Sequence, residues 1–237
     1  MNNLKTFRHE FKYYINYFDY EILRSKLKNV LKNDKFSGSN GDYHIRSLYF
    51  DDLHNSALYE KQAGVLQRRK FRIRIYNYKD DVIKLEKKSR VGQFINKESA
   101  SLSFEQYRMI RHGNYSFLRD SCNSLFNEFY FELAANKIKP DVIVDYVREA
   151  YTSDINNIRI TFDKNLRTGL LNTDLFDRLL PTVDVIERPV HVLEIKYDNF
   201  LPEHLRKILQ ISSSTRFAIS KFVICKKYTK FNNWEDN

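Results

Sequence analysis

Hydrophobic and polar positions alternate along much of the chain. In residues 6–15, Phe7, Phe11, Tyr13 and Ile15 share one face and Arg8, Glu10 and Lys12 the other, which is the period of a strand. The period then changes. Residues 19–33 read as an amphipathic helix with Asp19 as its N-cap, because Ile22, Leu23, Leu27, Val30 and Leu31 recur at helical spacing. A turn-rich loop over 37–41, a strand over 43–50 and a short helix over 55–63, stopped by Gly64, follow. Alternation returns at 69–78, with Lys70, Arg72 and Arg74 opposite Phe71, Ile73 and Ile75. With Asp80-Asp81 as the turn, this segment forms a hairpin with 82–90, where Lys84, Glu86 and Lys88 oppose Ile83 and Leu85.

Residues 93–99 read as another strand. Ser103-Phe-Glu-Gln106 is a capping-box sequence, so helical segments should fill 103–137, broken at Gly113. Strands are expected at 141–151, 158–163, 183–187, 190–197 and 217–228, with a helix over 203–210 before the last. Neither a linker nor a repeat interrupts the pattern. The economical reading is one α+β domain over 1–230, with a polar tail at 231–237.

The charged faces are ordered: Arg8/Glu10/Lys12, Arg72/Arg74, Glu86/Lys88, Arg159/Thr161/Asp163 and Glu194/Lys196. For any one strand the ordinary explanation is a solvated face. Taken together, the strands suggest a closed antiparallel β-barrel tunnel with helices packed outside on the apolar faces, so that the charges point inward. Cations crowded in this way repel one another and require water or a bound polyanion. Carboxylates among them suit an oxygen-loving divalent cation, Mn²⁺ or Mg²⁺.

Composition sharpens this picture. The 237 residues carry 40 Lys+Arg against 30 Asp+Glu, a formal charge of +10, which attracts polyanions. With 18 Phe and 16 Tyr the chain has the means to build a core. No apolar run reaches the ~18 residues of a membrane span, and residues 1–8 hold no signal-peptide core. Two isolated cysteines, Cys122 and Cys225, fit a reducing, cytoplasmic setting rather than a disulfide or zinc site. The six histidines are scattered, with His9 on the apolar face of its strand. There is no Walker A sequence, which argues against a P-loop kinase.

Eight short segments, in order, resemble the VTC-type polyphosphate polymerase domain, a branch of the triphosphate tunnel metalloenzymes related to the CYTH proteins. They are Arg8-His-Glu-Phe-Lys-Tyr13, Ser47-Leu-Tyr-Phe-Asp51, Lys70-Phe-Arg-Ile-Arg-Ile-Tyr76, Leu85-Glu-Lys-Lys88, Tyr146-Val-Arg148, Arg159-Ile-Thr-Phe-Asp163, Leu193-Glu-Ile-Lys196 and Ser220-Lys-Phe222. The resemblance implies an eight-stranded tunnel. Its phosphate-binding residues would be Lys12, Arg72, Arg74, Lys88, Lys97, Arg148, Arg159 and Lys221. Glu194 matches the family's metal ligand, with Lys196 on the same face. Glu10 and Glu86 would orient neighbouring cations, and Glu10 would also serve the metal. Strict alternation places Arg148 with Val144 and Tyr146, so a bulge would be needed to aim it into the tunnel. Tyr13, Tyr49 and Tyr76 read as barrel-wall residues.

The implied substrates are ATP and polyphosphate: the terminal phosphate of the chain attacks the γ-phosphorus and ADP leaves. Typical CYTH proteins begin Glu-x-Glu-x-Lys; here the pattern is Arg8-x-Glu10-x-Lys12, as in the VTC branch. That favours a polymerase over a tripolyphosphatase or nucleoside triphosphatase of the same fold. A non-catalytic polyphosphate sensor is a further alternative, against which Glu194 speaks. Nucleic-acid binding ranks last, since no RNP-type or zinc module is present. Related polymerases couple the domain to a membrane channel. Here that would require a separate membrane partner at the inner face of the membrane.

Overall fold

The computed structural model describes residues 8–92, 94–170, 172–210 and 216–231. The ends of the first strand, of the strand expected from 93 and of the polar tail therefore lie outside the described residues. The elements are β1 (Arg8–Ile15), α1 (Tyr17–Leu27), β2 (Lys32–Asn33), β3 (Asp42–Asp51), α2 (Ser56–Gln62), β4 (Gln67–Tyr76), β5 (Lys79–Val91), β6 (Phe94–Leu102), α3 (Phe104–Arg111), α4 (Ser124–Ala134), β7 (Lys139–Ser153), β8 (Ile158–Gly169), β9 (Thr182–Asp184), β10 (His191–Asp198), α5 (Glu203–Ile208) and α6 (Lys221–Phe231).

All mapped ladders are antiparallel, and neighbours run β1-β10-β8-β7-β3-β4-β5-β6, with β2 on β7 and β9 on β8. The order begins on β1 and ends on β6, so among the described residues hydrogen bonds leave the sheet open where the sequence reading expected a closed barrel. The eight long strands match the expected number. The chain divides into two compact units, with the boundaries after His44, Asp145 and Leu166 inside β3, β7 and β8.

Each unit has its own core. In the first, Ile15, Ile158, Ile160, Phe162, Leu193 and Ile195 from the strands pack against Tyr20, Leu23 and Leu27 of α1 and Leu205 of α5. In the second, Phe71, Ile73, Ile75, Ile83 and Leu85 pack against Tyr107 and Ile110 of α3 and Leu125, Phe129 and Leu133 of α4. Fully burying such a side chain contributes roughly 1.5–3 kcal/mol. These cores fix which strand face is dry. Lys12, Lys70, Arg72, Arg74, Glu86, Lys88, Arg159, Glu194 and Lys196 occupy the opposite face, while Arg69, Lys87 and Lys164 lie on the core side, where they reach Glu132, Glu128 and Tyr20 of the helices.

Several local expectations are corrected. The N-cap of α1 is Asn16, whose side chain accepts from the Asp19 backbone N–H, and the helix stops at Leu27 rather than Asn33. Ile22 and Val30 are exposed, so the apolar spacing that seemed to extend the helix is partly surface. The β4–β5 turn is Asn77-Tyr78, both with positive φ (52° and 56°), while Asp80 and Asp81 lie within β5. Primed two-residue turns need that left-handed backbone, which Asn adopts at low cost and Tyr does not. The strand expected at 183–187 is the three-residue β9. The last expected strand, 217–228, is a helix from Lys221 onward: Phe222, Cys225 and Lys226 are buried at i, i+3 and i+4. The apolar run 222–225 is too short for period alone to separate strand from helix. The Ser103–Gln106 capping box is present as expected, and His9 stacks on Tyr197 with ring centroids 4.8 Å apart. No helix among the described residues is long and apolar enough to cross a membrane.

Candidate functional site

The charged faces gather into one cluster in each unit. In the second unit the sheet β3-β4-β5-β6 sets Tyr49 opposite Arg72, Arg72 opposite Glu86, Ser47 opposite Arg74, and Lys70, Lys88 and Lys97 in a cross-strand row. Glu86 is 3% exposed. It accepts from Arg72 Nε at 2.7 Å, pairs with Lys97 and lies 3.8 Å from Arg74 Nη1. Burial pushes its carboxyl up, but Arg74, Arg72 and Lys97 outweigh that and hold it well below the usual carboxylate range. A small pocket is lined by Tyr49, Lys70, Arg72, Glu86, Lys87, Lys88 and Lys97. Arg74 also donates to Ser47 Oγ at 3.0 Å.

Tyr49 is a member of this cluster rather than a wall residue. Its hydroxyl accepts from Arg72 Nη1 at 2.6 Å, and its ring packs 5.0 Å from that of Phe222 on α6. Lys221, the first residue of α6, thus adjoins a residue in contact with the cluster through a helix, not the expected strand. Burial raises the Tyr49 phenol, but Arg72, Lys70 and Arg74 win and bring it down to about 7. An unperturbed phenol titrates near 10. In a near-ultraviolet absorbance titration one tyrosine should therefore ionise at about 7, and the Tyr49→Phe variant should lose that step. The sign for stability follows: a depressed acid adds stability as pH rises from about 7 towards 10, and the gain is lost as pH falls through 7.

In the first unit β1, β10 and β8 lie side by side. Lys12 faces Glu194 and Glu194 faces Thr161; one pair along, Glu10 faces Lys196 and Lys196 faces Arg159. Glu194 is 5% exposed. It pairs with Lys196 at 2.5 Å and lies 3.8 Å from Arg148 and 4.0 Å from Lys12, while Lys12 pairs with Glu10 at 2.7 Å. Arg148 forms a fork on Asp163, with Nε–Oδ1 at 2.6 Å and Nη2–Oδ2 at 2.8 Å. Burial disfavours its charge, yet Asp163, Tyr146 and Glu194 hold its pKa well above the ordinary value. Arg159 pairs with Asp34 and donates to the Tyr43 hydroxyl at 3.0 Å.

Arg148 reaches this cluster on the face it shares with Tyr146. On β7 it is Ile143 and Tyr151, at odd positions, that join the two cores, which leaves Tyr146 and Arg148 on the opposite face. The apolar look of Val144 and Tyr146 had suggested the reverse. Replacing Asp163 with Ala strands a buried guanidinium, and we expect a loss of ~3–5 kcal/mol in denaturant unfolding. A change below 1 kcal/mol (about the value of a surface pair) would mean that the fork contributes little.

The donor set suits a hard divalent ion only in company with phosphate. Among the described residues no three His, Cys, Asp or Glu side chains gather into a cage. Mg²⁺, however, is commonly held by one or two carboxylates with substrate phosphates supplying further oxygens. Glu194 offers such a carboxylate, and the Thr161 hydroxyl opposite it is buried without a hydrogen-bond partner among the described residues. Sequence reasoning missed Tyr43, Tyr49 and Thr161; the only trace was their place on strand faces shared with charged residues.

A model of the VTC domain family matches residues 7–230. The chain belongs to the VTC domain family. Among solved structures, this VTC domain is similar to a putative adenylyl cyclase from Hippeastrum described as having a dominant triphosphatase activity. The two are 14% identical, with 94% of this chain and 96% of that one covered and a TM-score of 0.53. A putative adenylate cyclase from Bacillus halodurans is also 14% identical, covering 85% of this chain and 84% of that one at a TM-score of 0.49. No curated protein matches. The likeness to the Hippeastrum structure is one of fold.

Proposed function

We propose that this VTC domain is a metal-dependent polyphosphate polymerase, transferring the γ-phosphate of ATP to a growing polyphosphate chain in a basic tunnel. The observation that carries the reading is the cationic face of β4-β5-β6, where Arg72, Arg74, Lys70, Lys88 and Lys97 surround the single carboxylate of Glu86. The reading takes residues 1–230 as one functional domain, since β3, β7 and β8 each belong to both units.

In the reaction a terminal polyphosphate oxygen forms a bond to the γ-phosphorus, and the bond from that phosphorus to the β–γ bridging oxygen breaks, releasing ADP. The attacking phosphate is already ionised, so no protein base is required. Phosphoryl transfer depends on positioning and charge stabilisation. Arg72 and Arg74, two apart on β4, present guanidinium forks to successive phosphates, and Lys88 and Lys97 add point charges. Arg148 is pre-set by Asp163, and Lys12, Lys196 and Arg159 stand ready to exchange carboxylate for phosphate. Glu194 would hold the divalent ion, which supplies Lewis-acid polarisation of phosphate oxygens when bound.

A second reading, a triphosphatase, draws support from the Hippeastrum neighbour. Incubation with ATP, Mn²⁺ or Mg²⁺ and a short polyphosphate primer separates the two. A ladder of lengthening polyphosphate with matching ADP is expected. Free phosphate without a ladder would instead establish the hydrolase.

A further inference from the structure

The face that carries Arg72 and Arg74 continues beyond the residues assigned above. On β4, Arg68, Lys70, Arg72 and Arg74 succeed one another at every second position. Across the ladder Arg68 stands directly opposite Arg90, as Lys70 stands opposite Lys88. Like charges placed directly opposite in an antiparallel pair are destabilising. The inner rows relieve the conflict with Glu86. The outer row does not: among the described residues neither Arg68 nor Arg90 has a salt-bridge partner. Arg90 Nε donates to Gly92 O at 2.7 Å and Arg68 Nη1 donates to Val65 O, so backbone carbonyls at the strand ends hold both side chains in place. Burial, and then Arg90 opposite, pull the Arg68 guanidinium down from its ordinary value, more than Glu60 nearby raises it.

We propose that Arg68 and Arg90 form a second phosphate subsite at the end of the β4–β5 ladder, binding the part of a polyphosphate chain that lies beyond a triphosphate. The inference rests on the reading of the β4–β5–β6 face as a phosphate site. At ~3.4 Å per residue the six-residue step from Arg74 to Arg68 spans ~20 Å. Three phosphates joined through shared oxygens cover less than half of that. A triphosphate seated on Arg72 and Arg74 therefore leaves Arg68 and Arg90 untouched, whereas a long chain reaches them. Two guanidiniums facing each other, with no salt-bridged carboxylate to displace, bind a chain phosphate through charge-assisted hydrogen bonds. The subsite thus distinguishes chain length: it holds polymer and ignores nucleotide.

The test compares two anions on the full chain by calorimetric titration, tripolyphosphate and a polyphosphate several tens of phosphates long. In the double variant Arg68→Ser/Arg90→Ser the long chain should bind ~10-fold more weakly, with tripolyphosphate affinity altered less than about twofold. Arg68→Lys/Arg90→Lys keeps the charge and should recover part of the loss, and a melting curve on each variant verifies the fold. Equal losses for both anions, or no loss for either, would overturn the subsite while leaving the functional reading intact. A wild-type protein that binds neither anion would overturn the functional reading, and the subsite with it.

Discussion

Glu194→Gln is expected to reduce metal-dependent turnover by ~10³-fold or more while leaving polyphosphate affinity largely intact. The amide keeps the shape of the side chain and removes its charge. Glu194 is the carboxylate on which Lys196, Arg148 and Lys12 converge, so the variant leaves those cations free for phosphate. Binding should hold or tighten even as catalysis fails. A Gln variant that turns over normally would remove Glu194 from the metal role, and so would one that no longer folds by circular dichroism.

The second large effect is at Arg72. Arg72→Ala should lower kcat/KM for ATP by ~10²-fold or more, because a guanidinium in contact with transferring phosphate is worth several kcal/mol in the transition state. Its loss also strips the hydrogen bond from Tyr49 and one of the cations that hold Glu86 ionised. Arg72→Lys retains a point charge without the fork and should fall between the two. Rates near wild type in the Ala variant would mean that this strand face does not handle the reacting phosphate.

Much of this arrangement was legible from period alone, and the reasons are local. Strands β1, β4, β5, β8 and β10 each bury one face in a core, so strict alternation separated Arg72, Arg74, Glu86 and Glu194 from their apolar neighbours. The reading failed where a strand is buried on both faces. On β7 hydrophobicity does not mark the core side, and the face that Arg148 shares with Val144 and Tyr146 was read as apolar. It failed again at 221–231, where a short apolar run carries no period and burial by tertiary contact makes the helix. The aromatic hydroxyls of Tyr43 and Tyr49 were lost to a different ambiguity, since a tyrosine is at once a wall and a polar group. The barrel was expected from strand number, and closure is a property that strand number does not determine.

The internal carboxylates also govern how binding responds to ionic strength. Glu86 offsets one of the three charges of Arg72, Arg74 and Lys97, and Glu194 one of those of Lys12, Arg148 and Lys196. Salt sensitivity arises when a polyanion and its protein release small counterions to solution. Here part of that balance is tethered to the sheet, and a phosphate chain that displaces a carboxylate releases no small ion from the protein side, while the chain's own counterions are still released. Affinity at these inner rows should therefore decline with salt less steeply than the number of cations suggests, by about the one charge that each carboxylate offsets, whereas Arg68 and Arg90 should each contribute to the salt slope in full.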